Sequence, residues 1–221
     1  MCKEESAMSK KTSYALFAMV MILSLLASPS YAMDKMDGKS PKMTAVDLRL
    51  TLRDLWVGHI FWVRNVVYAT KYGDTAAAKV AEDNVVKNAK DIAGAVALFY
   101  GKEAGDKLFG LLAGHYGAVK EYLNAAVAGD KAAKDSAVDK LKKNAVEIAT
   151  FLNAANPKNW PKETLVSLLL AHGGQHISQI DAVIAKDYGA EATVWEAMKT
   201  HIYTVADALA GGIVKQFPKR F

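Results

Sequence analysis

From about residue 44 onward, apolar residues recur at the three- and four-residue spacing of α-helices. Leu48, Leu52 and Leu55 show this spacing near the start of the region, and no segment alternates apolar and polar residues as a strand would. Turn-forming residues interrupt the pattern only at 71–74, 100–103, 128–131, 156–163 and 186–191. The pattern predicts an all-α protein, an antiparallel bundle of about six helices.

Three of the apolar segments share a local pattern with a histidine at its centre. They read LWVGHIFWV, LLAGHYGAV and LLLAHGGQH, and their histidines His59, His115 and His172 are almost evenly spaced along the chain. The next loop glycine follows at the same interval in the first two segments and three positions later in the third. This spacing predicts an internal repeat of three tandem helical hairpins, with a three-residue insertion in the third.

Each predicted hairpin also carries an acid at a fixed distance after its loop glycine. Asp91, Glu147 and Asp207 follow that glycine at one common interval, in the segments KNAKDIA, KNAVEIA and YTVADAL. A helix rises about 1.5 Å per residue, so each histidine lies about 20 Å before its turn and each acid about 25 Å after it. The spacing therefore predicts a layer of histidines and carboxylates at mid-bundle.

Imidazoles and carboxylates on facing helices suit a transition metal ion such as Zn, Fe, Mn or Cu. His176 adds a second histidine to one face of its helix, since it follows His172 at i, i+4. The candidate metal ligands are His59, Asp91, His115, Glu147, His172, His176 and Asp207. Two alternatives stay open: a purely structural polar layer in a non-catalytic interaction protein, and an organic ligand or haem in the bundle.

The sequence favours no reaction and indicates that the protein is more a binding or structural protein than an enzyme. No strand-turn-helix nucleophile elbow and no phosphate-cradling glycine loop is present, so no catalytic residue and no cofactor-binding motif is assigned. An enzyme that uses the histidine cluster stays an alternative. The spacing leaves open whether His201 joins the cluster and whether Arg64 is a buried counter-charge for an acid or a solvated side chain.

Residues 1–32 have the composition of a secretory signal peptide. Lys10 and Lys11 precede an apolar run, and Ser30 and Ala32 occupy the −3 and −1 positions of a cleavage site. An uncleaved anchor is the alternative. Residues 33–43 are predicted as a flexible leader and 44–221 as a single helical-bundle domain. Cleavage would remove Cys2, the single cysteine, and leave no stable membrane span.

The expected location is the periplasm or the cell exterior. The net charge of +5 is mild and spread along helix faces. It argues against a nucleic-acid partner, which would call for a concentrated basic surface with interleaved aromatic residues. The sequence identifies no protein partner.

The segments LWVGHIFWVRN, NAVEIATFLNAANPKNW and ADALAGGIVKQFPKRF carry a family resemblance. They resemble exported bacterial helical-bundle proteins of unknown function with an A-D-x-L-x-x-G-I-x-x-Q-F-P ending, some of which bear acetylglutamate kinase or glycosyltransferase labels. The resemblance spans most of 48–221 and implies the helical fold but no activity. It marks these positions as matching the family: His59, Trp62, Arg64, Asp91, His115, Asn144, Glu147, His172 and Asp207.

Overall fold

The computed structural model describes residues 43–221 of the chain. The predicted signal peptide and residues 33–42 of the leader lie outside the described residues. Within them the protein is helical and has no strand, which confirms the predicted fold class. The helices are α1 (Ala45–Tyr72), α2 (Thr75–Tyr100), α3 (Lys102–Ala128), α4 (Lys131–Ala155), α5 (Lys162–Ala185) and α6 (Tyr188–Gln216), followed by a 3₁₀ turn at Pro218–Arg220.

The tight turns inside the three hairpins, α1–α2, α3–α4 and α5–α6, have the same capping arrangement. In the first two, Gly73 and Gly129 end a helix in the left-handed conformation, each at φ 72°. Asp74 and Asp130 then cap the next helices by accepting hydrogen bonds from backbone amides three residues on. Glycine reaches this conformation without the steric penalty of a β-carbon.

The third hairpin turns three residues earlier than predicted. Lys186 takes the left-handed position at φ 60°, and Asp187 caps α6 by accepting from the Ala190 amide. Lys186 follows His172 at the same interval at which Gly73 follows His59. The predicted three-residue insertion is therefore wrong, because the turn falls at a lysine and not at Gly189.

Consecutive helices pack against one another, and α6 closes the ring against α1. Helix α5 also contacts α1 and α3 across the middle of the bundle. The buried apolar residues form two clusters along its length. The Trp56 core includes Leu52, Trp56 and Leu112, and the Val63 core includes Val63 and Val119. No helix within residues 43–221 combines the length and the apolar character that a membrane span needs.

A side-chain hydrogen bond at the same relative position joins the two helices of each of the first two hairpins. The Asn88 amide donates to the Leu55 carbonyl at 2.8 Å, and the Asn144 amide donates to the Leu111 carbonyl at 3.0 Å. A β-carbon at Gly58 or Gly114 would lie only 3.1 or 3.3 Å from these amide nitrogens. Glycine before the histidine therefore makes room for the asparagine that ties the hairpin together.

Candidate metal centre

Four histidines converge in the centre of the bundle. The four side chains are His59 from α1, His115 from α3, and His172 and His176 from α5. Each offers one ring nitrogen, and these four atoms all lie within 4.8 Å of one another. Their residues are between 1% and 6% exposed. We call this group the four-histidine cluster.

The cluster lies between the two apolar cores. On α1, Trp56 and Ile60 belong to the Trp56 core, whereas Val63, one turn after His59, begins the Val63 core. The same change occurs on α3 between Leu112 and Ala118, on either side of His115. Each histidine occupies an inward position of an amphipathic stripe, so helix packing itself drives the imidazoles together.

The rings contact one another closely. The Nε2 atoms of His172 and His176 are 3.1 Å apart, a distance at which one N–H donates a hydrogen bond to the other nitrogen. The ring centroids of His59 lie 6.3 Å from His115 and 5.5 Å from His172. Trp56 packs edge-on against His59 and His172 and forms an apolar wall on one side of the cluster.

The environment of the cluster disfavours positive charge. Burial, together with the neighbouring His115, lowers the pKa of His59 to about 3. Burial lowers the pKa of His115 to about 4, although the nearby Asn144 side chain offsets part of this effect. Burial and the other histidines hold the pKa values of His172 and His176 well below their ordinary range. All four imidazoles are therefore neutral at pH 7, the protonation state that binds metals.

Most of the buried ring nitrogens have no hydrogen-bond partner. His59 Nε2, both nitrogens of His115, and Nδ1 of His172 and His176 are without one. A buried polar atom left unpaired costs about 1–3 kcal/mol. Five such atoms around one point mean that the fold tolerates a local penalty there, as binding sites commonly do.

The first two predicted acids lie away from the histidines. Asp91 is exposed and pairs with Lys87 on its own helix at 2.6 Å. Glu147 is also exposed. Both acids precede a core isoleucine by one position, Ile92 or Ile148, which turns them about 100° away from the core stripe. The structure therefore brings together the four predicted histidines and does not bring these two acids to them.

Asp207 was predicted to lie in the layer of histidines and carboxylates because the third turn was predicted at Gly189. Counted from Lys186, Thr204 corresponds to Asp91 and Glu147. Asp207 pairs instead with Arg53, with Arg–Asp nitrogen–oxygen distances of 2.8 and 2.6 Å, and its side chain is 33% exposed. Hydrogen bonds and charge from Arg53 lower the pKa of this acid. The pair joins α1 to α6 outside the cluster.

The undecided His201 has a structural contact of its own. Its Nε2 lies 2.9 Å from the Leu168 carbonyl oxygen, at the same 33-residue separation as the Asn88–Leu55 and Asn144–Leu111 hydrogen bonds. His201 is thus the counterpart of the two asparagines. Its ring is 6.5 Å from that of His172, but it is not one of the four clustered histidines.

Sequence reasoning missed the single buried acid of residues 43–221. Glu191, at the start of α6, is 1% exposed and accepts two hydrogen bonds from Arg64, at 2.7 and 2.6 Å. Arg64 is thus the counter-charge of an acid that was not considered, because a charged residue beside a loop is usually solvated. Tyr68 and Gln179 also donate to Glu191, at 3.2 and 3.0 Å. Burial raises the pKa of Glu191, but these donors outweigh that effect and lower it.

No family matches this chain. Comparison with protein-family models, with curated proteins and with solved structures gives no match. The family resemblance therefore stays a prediction, and the function has to be inferred from the geometry of the four-histidine cluster.

Proposed function

We propose that the protein binds one transition metal ion through the four-histidine cluster. The observation that carries this proposal is the convergence of four neutral, buried imidazoles, of which five ring nitrogens lack a hydrogen-bond partner. The 3.1 Å between the Nε2 atoms of His172 and His176 is close to the ligand spacing of about 3.3 Å around a tetrahedral ion with bonds of about 2.0 Å. The remaining ligand atoms, within 4.8 Å, reach such an ion after ring shifts on the order of 1 Å.

The donor set favours zinc or copper. Imidazole nitrogen is a good ligand for Zn, Cu, Fe and Ni, whereas Mn prefers carboxylate and water oxygen. None of the three predicted acids belongs to the cluster. Of the metals that the sequence suggested, manganese is therefore the least suited to this site.

Four protein ligands also favour a structural, storage or transport role over catalysis. A zinc site with four protein ligands is closed, whereas catalytic zinc keeps a position for water or substrate. The cluster offers four nitrogens, and its histidines are at most 6% exposed. We infer a metal carrier or metal-stabilised bundle and not a metalloenzyme.

Metal titration of the purified chain tests this proposal. Zn(II) and Cu(II) should each bind at one equivalent, and Mn(II) should bind far more weakly. His115→Ala should abolish binding, whereas Asp91→Asn and Glu147→Gln should leave the stoichiometry and affinity unchanged. Loss of binding in the acid variants would instead return the acids to the ligand set.

A purely structural role for the cluster is the second candidate, favoured by the contact between His172 and His176. The metal-free stability of His115→Leu separates the two roles. A metal site keeps unpaired nitrogens at a cost to the empty protein, so the leucine variant should be more stable by about 1–3 kcal/mol. A structural polar layer predicts a loss of stability of similar size.

We also propose that the protein is exported and that its three hairpins are copies of one repeat. The signal-like residues 1–32 support export. The three hydrogen bonds at a 33-residue separation and the three Asp-capped turns support the repeat. Expression with the native N-terminus should yield a secreted chain that begins at Met33, as the mass of the purified protein would show.

A further inference from the structure

A small apolar cavity lies inside the bundle, on the Trp56 side of the four-histidine cluster. Its volume is about 20 Å³, and the eleven residues that line it come from all six helices. Ten of these residues are leucine, isoleucine or valine, and the eleventh is Trp56. We propose that the cavity binds a diatomic apolar molecule such as dioxygen. The site contains no histidine, so the proposal does not depend on a bound metal ion.

The cavity begins one helical turn before the histidines. Trp56, Leu112 and Leu169 line it, and each precedes the first clustered histidine of its helix by three residues. Residues three apart are neighbours on a helix surface, so the cavity and the cluster adjoin on three helices. The Trp56 ring also packs edge-on against His59 and His172, at centroid distances of 5.8 and 6.2 Å. A molecule in the cavity would therefore contact the apolar wall of the cluster.

The lining disfavours water as the occupant. Aliphatic side chains carry no polar atom, so Trp56 Nε1 is the one side-chain donor among the lining residues. This atom is buried and has no hydrogen-bond partner. The lining residues also lie within helices, whose backbone groups bond to one another. A buried water typically makes about three hydrogen bonds and needs at least two polar partners, so this lining favours an apolar molecule instead.

The volume of the cavity limits the size of its occupant. One water-sized sphere needs roughly 10–15 Å³, so a cavity of about 20 Å³ suits one or two bonded atoms and not an aromatic ring or an acyl chain. Ten of the eleven lining residues are buried, and Leu168 is the one that is partly exposed. Dry apolar cavities bind such molecules because the occupant supplies the dispersion contacts that the lining otherwise lacks.

Nuclear magnetic resonance under oxygen pressure tests the proposal on the metal-free protein. Dioxygen is itself the probe, because it is paramagnetic and speeds the relaxation of nearby nuclei, and nitrogen pressure gives the diamagnetic reference. In ¹³C-methyl-labelled protein the largest enhancement should appear at Leu112, Ile148 and Val205, which line the cavity. Val119 and Leu123 of the Val63 core are equally buried but do not line it, so their methyl groups should show an enhancement several-fold smaller.

Two substitutions should change the enhancement in opposite directions. Val205→Ile adds a methyl group to the lining and should remove the enhancement at Leu112 and Ile148. Leu209→Ala enlarges the cavity and should increase it, which keeps the test decisive if the first variant does not fold. The matched control is Val119→Ile, which adds the same methyl group in the Val63 core and should leave the enhancement at the cavity unchanged.

The possible outcomes separate this site from the proposed metal site. Equal enhancement in the two cores would overturn the proposal and show that the cavity is an empty packing gap. An enhancement at the cavity that neither Val205→Ile nor Leu209→Ala alters would overturn it as well. An enhancement centred on the cavity, in a protein that binds no zinc, would uphold the dioxygen site and reject the metal site.

Discussion

The third hairpin differs from the first two at the positions that matter most for the site. The first two each contribute one histidine, a hairpin asparagine and a glycine turn, as seen at His59, Asn88 and Gly73. The third contributes two clustered histidines, uses His201 in place of the asparagine and turns at Lys186. The first two hairpins thus share one arrangement, and the third departs from it at these positions.

If the cluster binds a metal ion as proposed, His176 is a fourth ligand added to three histidines at corresponding positions. Three histidines at corresponding positions would leave one side of an ion open, next to Val63 and Val119. His176 fills that side, since it follows His172 by four residues on α5. Exchanging residues between hairpins therefore separates the features that build the fold from those that build the site.

Acidification of the metal-free protein should give the largest effect. The pKa values of His59 and His115, about 3 and about 4, lie below the value near 6.5 of an unfolded histidine. Below about pH 6.5 the unfolded chain thus binds more protons than the folded chain. The stability that the two neutral histidines contribute is present above pH 6.5 and is lost progressively as the pH falls toward their pKa values in the folded protein. These two residues alone should remove about 4 kcal/mol between pH 7 and pH 5.

Urea unfolding at pH 7 and pH 5 measures this loss, with His59→Leu/His115→Leu as the comparison. The double variant keeps only the three histidines of the third hairpin, His172, His176 and His201, so its stability should depend less on pH. Equal pH dependence of both proteins would show that the first two hairpins do not hold neutral histidines.

Making the third hairpin like the others at the ligand position should have the next largest effect. His176→Val introduces the residue found at 63 and 119 and should weaken Zn(II) affinity by at least about 100-fold, since loss of a ligand exceeds loss of a group that only orients a ligand. The metal-free variant should be about as stable as the wild type, because it removes the unpartnered Nδ1 of His176 but leaves His172 Nε2 without its 3.1 Å contact. Calorimetric titration and urea unfolding check the two parts, and wild-type affinity in this variant would exclude His176 as a ligand.

A smaller gain in stability is expected from Lys186→Gly. The substitution gives the third turn the residue of the first two and relieves a left-handed lysine at φ 60°. The free energy of unfolding should rise by about 0.5–1 kcal/mol, because relief of strain exceeds the added entropy of the unfolded chain. Lys186→Ala removes the same side chain but keeps the β-carbon, so it should show no such gain in the same urea titration.

The smallest effect on metal binding is expected from His201→Asn. Asparagine is the residue at 88 and 144, where its amide donates to the corresponding carbonyl. The variant should bind one zinc ion with unchanged affinity, measured by the same titration as for His176→Val. A marked loss of affinity would place His201 in the ligand set, and the cluster would then need revision.

Much of the fold follows from sequence because helix breaks leave strong local signals. The breaks at Gly73, Gly101 and Gly129 combine a glycine with the end of an apolar stripe, and all three are found in the structure. The third turn was misplaced because Gly189 was the nearest glycine, whereas the chain turns at a lysine. Asp187 could have indicated the correct turn position, since Asp74 and Asp130 immediately follow the turn residue in the other hairpins.

The histidine part of the site was predictable, and its acidic part was not. Heights along a helix follow from residue counts, so the common level of His59, His115 and His172 could be read from the sequence. Whether a side chain points inward depends on its angular position around the helix, which changes by about 100° per residue. Residue counts from a turn do not fix that position closely enough. Glu191 was missed because its burial arises from Arg64 and Gln179, which are 127 and 12 residues away in the chain.

The most direct test of the four-histidine cluster as a metal site is a count of bound ions in the native protein. Elemental analysis and native mass spectrometry of the chain, purified without added metal or chelator, should find about one zinc or copper ion per chain. The quadruple variant His59→Leu/His115→Leu/His172→Leu/His176→Leu should contain none. Less than about 0.1 equivalent of any transition metal in the wild type, with no thermal shift on adding Zn(II) or Cu(II), would contradict the proposal that the four-histidine cluster binds a metal ion.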